Sequence, residues 1–177
     1  LLEDLCNFVK GEPILNKLGL ITKVRNGISK TRMILDTKQS GVKYITSQAQ
    51  RVIFPRLFDA ILQLLFLLTM VLAGDLEAVN AFVLDFSDAF WQIPILPSEQ
   101  KYFCATGIIN GKRKWIAFLR AAQGSSAAPT LWGRLAALLM RLTQALFPPN
   151  AVRLVCYVDD PLAALRGTEA ERRMYAA

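Results

Sequence analysis

The stretch "CYVDDPLAAL", Cys156 to Leu165, sets two acids side by side inside an apolar run. Without Asp159 and Asp160 it reads as an ordinary buried strand. An unpaired buried carboxylate is costly or must protonate, so the pair needs a reason to be there. Pro161 follows, and proline cannot donate a backbone hydrogen bond. Working outward, "VRLVCYV" (152–158) reads as an incoming strand, Asp159-Asp160 as the turn and "PLAAL" as the returning strand. A near-twin lies upstream. In "AFVLDFSDAF" (81–90), Asp85 ends an apolar β-type run, with a strand expected over Ala81–Phe86. Asp85 and Asp159 are 74 positions apart (159 − 85). If the two strand ends lie side by side in one sheet, three carboxylates converge at one edge, buried in protein. Such a cluster repels itself unless a cation neutralises it. Mg²⁺ takes one or two carboxylates plus substrate phosphates, and two metals about 4 Å apart clamp an in-line phosphoryl displacement. Each half alone is ordinary: paired acids after a strand most often make a turn, and "DFSDAF" also fits a strand end plus a helix N-cap.

Composition narrows the chemistry. The chain has 177 residues, 53% hydrophobic and 20% charged, enough for a sizeable core in one domain or two small lobes. Lys plus Arg is 21 and Asp plus Glu is 14, a net charge of +7 that suits a polyanionic partner or simply a soluble surface. There is no histidine, which excludes His-based triads and His zinc sites. Three cysteines (Cys6, Cys104, Cys156) stand far apart with no CxxC pair, so neither a zinc ribbon nor a disulfide framework is expected, and a reducing compartment is. The N-terminus has no basic n-region, which argues against a signal peptide, and the absence of an initial Met suggests a fragment. The apolar run Ala60–Gly74 spans 15 residues, interrupted by Gln63, short of the ~20 that a membrane span needs. It is expected to be a buried helix, with no membrane partner and an intracellular location, cytoplasm or nucleus.

The remaining pattern alternates hairpins and helices. A short helix is expected in residues 1–20. Two strands follow around Asn26-Gly27, carrying Lys23, Arg25, Lys30, Arg32 and Lys38. Residues 39–59 read as a polar loop, and the hydrophobic helix runs to about Leu72. A second hairpin turns at Asn110-Gly111, followed by Lys112, Arg113 and Lys114. A helix capped by Ser125 or Ser126 carries Leu131, Leu135, Leu138, Leu139, Leu142 and Leu146 at helical spacing, read as core, and stops at Pro148-Pro149. A charged helix ends the sequence. The order is that of an α+β protein with antiparallel strands.

Four segments together resemble the fingers and palm of a reverse transcriptase of the retrotransposon or retroviral type. "KTRMILDTKQSGV" (30–42) is similar to the family's basic fingers motif and "FVLDFSDAFWQIPI" (82–95) to its first catalytic motif. "AAQGSSAAPTLWGR" (121–134) resembles its Gln-Gly nucleotide-pocket motif, and "YVDD" (157–160) its metal-binding hairpin. Four motifs in the family's order, over residues 15–170, are far more specific than any one. The resemblance implies a right-hand polymerase palm, an antiparallel sheet backed by helices, with partial fingers and the thumb missing. Residues 1–57 and 93–126 would be fingers-like, and 58–92 and 127–177 palm. It implies RNA-directed DNA synthesis with dNTPs on a primed RNA or DNA template, using two Mg²⁺ ions, which Mn²⁺ could replace. Asp85 and Asp159 would hold the metals, with Asp160 as third carboxylate. Arg32, with Lys30 or Arg25, would grip the triphosphate, helped by backbone N–H groups around Asp88 and Ala89. Gln123 and Gly124 would line the nucleotide pocket. Val158 would lie near the primer end, and Phe90 would exclude a ribose 2′-hydroxyl.

Some residues depart from the family pattern. Pro161 replaces an aliphatic residue, "AAQG" replaces Leu-Pro or Phe-Gly before Gln-Gly, Lys43 stands where Asn often follows "SGV", and residues 57–74 are unusually apolar. An edge position or a bulge would let Pro161 do without its N–H. The alternative from another class is a degenerate, non-catalytic retroelement remnant that at most binds nucleic acid.

Overall fold

The computed structural model describes residues 1–46, 52–71 and 76–177. Parts of the expected polar loop (47–51) and the expected end of the apolar helix (72–75) lie outside the described residues, as does the Arg25 side chain. The chain forms a mixed α+β fold of two compact, interleaved units: residues 1–51 with 88–131, and 52–87 with 132–177.

The first unit opens with helix α1 (Leu2–Phe8) and a long hairpin, β1 (Leu15–Arg25) and β2 (Ile28–Asp36). Its turn is Asn26-Gly27, both at positive φ, the geometry that Asn-Gly adopts at least cost. A short helix α2 (Val42–Ile45) lies inside what reads as loop in the sequence. A second hairpin, β4 (Cys104–Ile109) and β5 (Lys112–Ala117), turns at Asn110-Gly111. The strand between them in sequence, β3 (Ala78–Val83), belongs to the second unit. The four-stranded order is β2-β1-β4-β5, and β1 and β4 run parallel through Leu15–Cys104 and Asn16–Ala105. The expectation of purely antiparallel strands therefore fails here. Buried Asn16 explains how so short a parallel contact holds. Its amide donates to the carbonyls of Tyr102 (2.8 Å) and Cys104 (3.0 Å), and its oxygen accepts from the Ser40 hydroxyl (2.6 Å). One sheet face packs Leu35, Ala105, Phe118 and Ala122 into a core, and Leu5 of α1 and Val9, just after the helix, cover Cys104 on the other.

The second unit holds helix α3 (Leu57–Leu68), β3, most of helix α4 (Ala128–Ala145), strands β6 (Val152–Tyr157) and β7 (Asp160–Gly167), and helix α5 (Glu169–Ala176). Its sheet is antiparallel, in the order β3-β7-β6. β6 is an edge strand, and edges invite stray pairing. Here the Gln144 amide acts as a short substitute strand: Nε2 donates to Val152 O (2.9 Å) and Oε1 accepts from Leu154 N–H (3.0 Å). On the face toward α3, the Arg153 guanidinium lies 4.2 Å from the Phe66 ring centroid, a cation–π contact.

Two expectations about the helices change. α3 starts at Leu57, where the Asp59 carboxylate accepts from Arg56 N–H (2.6 Å), and ends at Leu68; its Leu57, Phe58 and Leu65 are exposed. On α4 the leucines are not the core. Leu131, Leu138, Leu142 and Leu146 are exposed, while Ala128, Trp132, Gly133 and Ala136 are buried. A residue without a side chain lets neighbouring side chains come close: a Cβ on Gly133 would lie 2.8 Å from Val52 Cγ1 and 3.2 Å from Phe54 Cε1. The buried side is thus the one that carries the indole and the small residues, not the longest apolar stripe.

Candidate functional site

The acids at 85 and 159–160 all belong to the second unit. Paired positions of β3 and β7 run from Ala78–Gly167 to Val83–Leu162. Beyond them the ladder continues with Leu84 N–H donating to Pro161 O (2.8 Å) and Phe86 N–H donating to Asp159 O (2.9 Å). Asp85 therefore stands opposite Asp160, on adjacent strand ends. The expected strand over Ala81–Phe86 is observed three residues earlier, at Ala78–Val83.

Pro161 accounts for that early end. β7 is the central strand, so the proline is at neither an edge nor a bulge. In an antiparallel strand the N–H and C=O of one residue point to the same side. Pro161 O accepts from Leu84, so its missing N–H is missing on the β3 side only. On the β6 side Pro161 faces Cys156 one step in from the two-residue turn, at a position that exchanges no hydrogen bonds. One bond is lost, to Leu84 O, where β3 stops.

The turn itself is Val158-Asp159, with Tyr157 opposite Asp160. The sequence reading placed it one residue later; Asp160 opens β7 instead. Val158 sits at φ +56°, in the left-handed region. There a β-branched residue is a genuine outlier, at a cost of about 1–2 kcal/mol. Such strain persists only when surroundings enforce it. The Val158 carbonyl accepts from the Trp132 indole Nε1–H (2.7 Å) and is approached by the Cys156 thiol (3.5 Å). Trp132 is 2% exposed, and its ring meets Phe86 edge-on, centroids 5.1 Å apart. Burial, then the charges of Asp159 and Asp160, push the Cys156 thiol pKa up. The sequence reading did not single out Trp132. The available signal was its place between Ala128 and Ala136 at helical spacing.

Burial of the acids is the other correction. Asp85 and Asp160 are exposed and Asp159 is half-buried. The strand ends run out into solvent, which removes the desolvation cost that an apolar setting seemed to impose.

The other candidate residues, apart from Val158, lie in the first unit. Register places Lys23 directly opposite Lys30 and Ile21 opposite Arg32, so Lys23, Lys30 and Arg32 share one face of the β1–β2 hairpin. All three are exposed, and among the described residues none is in an ion pair. Like charges directly opposite each other destabilise a strand pair, a cost that an anion would relieve. Gln123 and Gly124 are bound to the same hairpin: Gln123 O accepts from Leu35 N–H (2.8 Å). Gly124, at φ +98°, must be glycine, because a Cβ would lie 2.4 Å from Leu35 O. Asp88 takes a left-handed conformation (φ +52°) and starts the 3₁₀ turn Ala89–Gln92, in which Ala89 is buried and Phe90 half-buried.

Metal fit follows from donor type and register. Asp85 and Asp160 offer hard oxygen donors on neighbouring strand ends, with Asp159 adjacent, the kind of set that Mg²⁺ completes with substrate phosphates. Among the described residues, no group of three or more Asp, Glu, Cys or His side chains is gathered to hold an ion. The fit is thus to one or two carboxylates plus a ligand, not to a preformed cage. Comparison with protein-family models and with curated proteins finds no match. No described helix is long and apolar enough to cross a membrane.

Proposed function

We propose that this chain is the fingers and palm core of an RNA-directed DNA polymerase from a retroelement, extending a primer with deoxynucleotides. One observation carries the reading: Asp85 lies opposite Asp160 beside a strained turn that contains Asp159. The four ordered motifs add support. In this reading Asp85 and Asp159 hold the metals and Asp160 adds charge across the strand pair. Two bound Mg²⁺ ions would supply activation of the primer 3′-hydroxyl and neutralisation of the leaving pyrophosphate. Arg32, with Lys30 or Arg25, neutralises the triphosphate. Backbone groups around Asp88 and Ala89 take part in holding it, and Gln123 and Gly124 shape the nucleotide pocket. Phe90 selects deoxyribose, and Val158 lies at the primer end. Base pairing reads the template, so the protein needs only duplex shape and phosphate contacts, for which a +7 chain is suited.

The test is primer extension on RNA and DNA templates with dNTPs and Mg²⁺. Wild type should extend, and Asp85→Asn/Asp159→Asn should fall below detection with an unchanged unfolding midpoint. Extension by the double variant would remove the acids from the reaction.

Exposed Asp85 and Asp160, and hairpin cations that are in no ion pair among the described residues, favour a second reading, a non-catalytic nucleic-acid binder. It expects salt-sensitive binding of single and double strands, equal in wild type and the double variant, and no extension by either.

A further inference from the structure

We propose that Trp132 is the positioning residue of this site: its indole N–H holds Val158 in the left-handed conformation and thereby fixes where Asp159 stands. The proposal rests on the reading of Asp85, Asp159 and Asp160 as metal-binding acids. Val158 occupies φ +56° without the glycine or asparagine that makes such a turn easy. Something outside the turn must hold it, and the structure offers one strong donor, Trp132 Nε1–H, 2.7 Å from Val158 O. The Cys156 thiol at 3.5 Å is a weak second. The same ring lies edge-on to Phe86, the residue after Asp85, whose N–H donates to Asp159 O. One buried side chain therefore touches both segments that carry the acids. The indole is itself only 2% exposed.

Trp132→Phe keeps an aromatic ring near Phe86 but removes the donor together with part of a buried ring, so rescue by Val158→Asn, and not the single variant, isolates the hydrogen bond. The probe is Mn²⁺, titrated onto the chain and followed by the electron paramagnetic resonance of the free ion. Removing an outer partner of a metal site lowers affinity by about 10–100-fold, and a loss near the lower end is expected, with a lower unfolding midpoint from the cavity. Adding Val158→Asn should restore affinity in the Trp132→Phe background, since asparagine enters the left-handed region on its own. A purely structural role for the indole would not be rescued in this way. In parallel, nuclear magnetic resonance couplings and shifts give φ at residue 158: positive in wild type, lost in Trp132→Phe, regained in the double variant. In the unaltered protein, the Trp132 indole N–H should exchange with solvent slowly.

A positive φ that survives Trp132→Phe, or a fast-exchanging indole N–H in wild type, overturns the proposal whatever the activity. If Trp132→Phe lowers Mn²⁺ affinity and Val158→Asn does not restore it, the turn is not the route and the proposal falls. Wild type that binds no Mn²⁺ while φ follows the indole overturns the metal reading instead and leaves Trp132 as the holder of the turn.

Discussion

Among the described residues, three two-residue turns join antiparallel strands, and they are not alike. Asn26-Gly27 and Asn110-Gly111 place both residues at positive φ (51° and 76°, 52° and 73°). Val158-Asp159 places its first residue at the same angle, 56°, but with a β-branched side chain. The first two turns are made by their own residues. The third is held from outside, by an indole on α4, and it carries the acids. Where local preference and local conformation agree, the turn serves the fold. Where they conflict and the surroundings prevail, the position is a candidate for function.

The sharpest way to break this comparison exchanges the first residues. Asn110→Val puts a β-branched residue at φ +52° with nothing arranged to hold it, and should destabilise the first unit by about 1–2 kcal/mol. Val158→Asn relieves the same conflict in the second unit and should stabilise by about 1 kcal/mol. Denaturant midpoints at constant m-value give both numbers. Equal and small effects would mean that neither turn is strained.

The same contrast explains what the sequence could reveal. Asn26-Gly27 and Asn110-Gly111 are local signals, and both hairpins follow from them. The turn at 158–159 is misread by one residue, because a valine at positive φ has no local signature while paired aspartates do. The pairing of Asp85 with Asp160 is non-local and is only a conditional statement at the level of sequence. Asp85 and Asp160 are exposed because they stand at the end of the sheet, a fact of tertiary structure. The leucines of α4 misled for a related reason. A long apolar stripe is the obvious core, but Ala128, Trp132, Gly133 and Ala136 allow closer packing. Gly124 is explained by a backbone contact with Leu35 that no single motif displays.

Pro161 gives a finer test in the same hairpin. Pro161→Ala restores an N–H aimed at Leu84 O, worth about 0.5–1.5 kcal/mol as a ladder bond. It also frees the unfolded chain, which costs about 0.4–1 kcal/mol. The two nearly cancel, so the unfolding midpoint should barely move. Amide exchange separates them: residue 161 should gain a protected N–H, and β3 should extend past Val83 to Leu84. An unprotected amide at 161 would mean that β3 ends there for another reason.

The smallest expected effect is at the other end of β7, where strand passes to helix. Thr168 caps α5, its hydroxyl oxygen accepting from Glu171 N–H (3.4 Å), while the Glu171 carboxylate accepts from Thr168 N–H (2.8 Å). The Glu171 pKa is lowered, first by that backbone bond and then by the Thr168 hydroxyl. A lowered folded pKa means that the carboxylate form binds the cap. The contribution is complete above the unfolded value, near ~4.3, and is lost as pH falls through the lower folded one. Backbone shifts of Arg172 to Met174, followed from pH 7 down to pH 3, should titrate below ~4.3 in wild type. Glu171→Gln keeps an acceptor at that position and should abolish the titration without unwinding α5. β7 thus begins at a turn that its own residues disfavour and ends in a cap that they make for themselves. If acid frayed α5 at the same pH in Glu171→Gln, the cap would be no more self-sufficient than the turn at Val158.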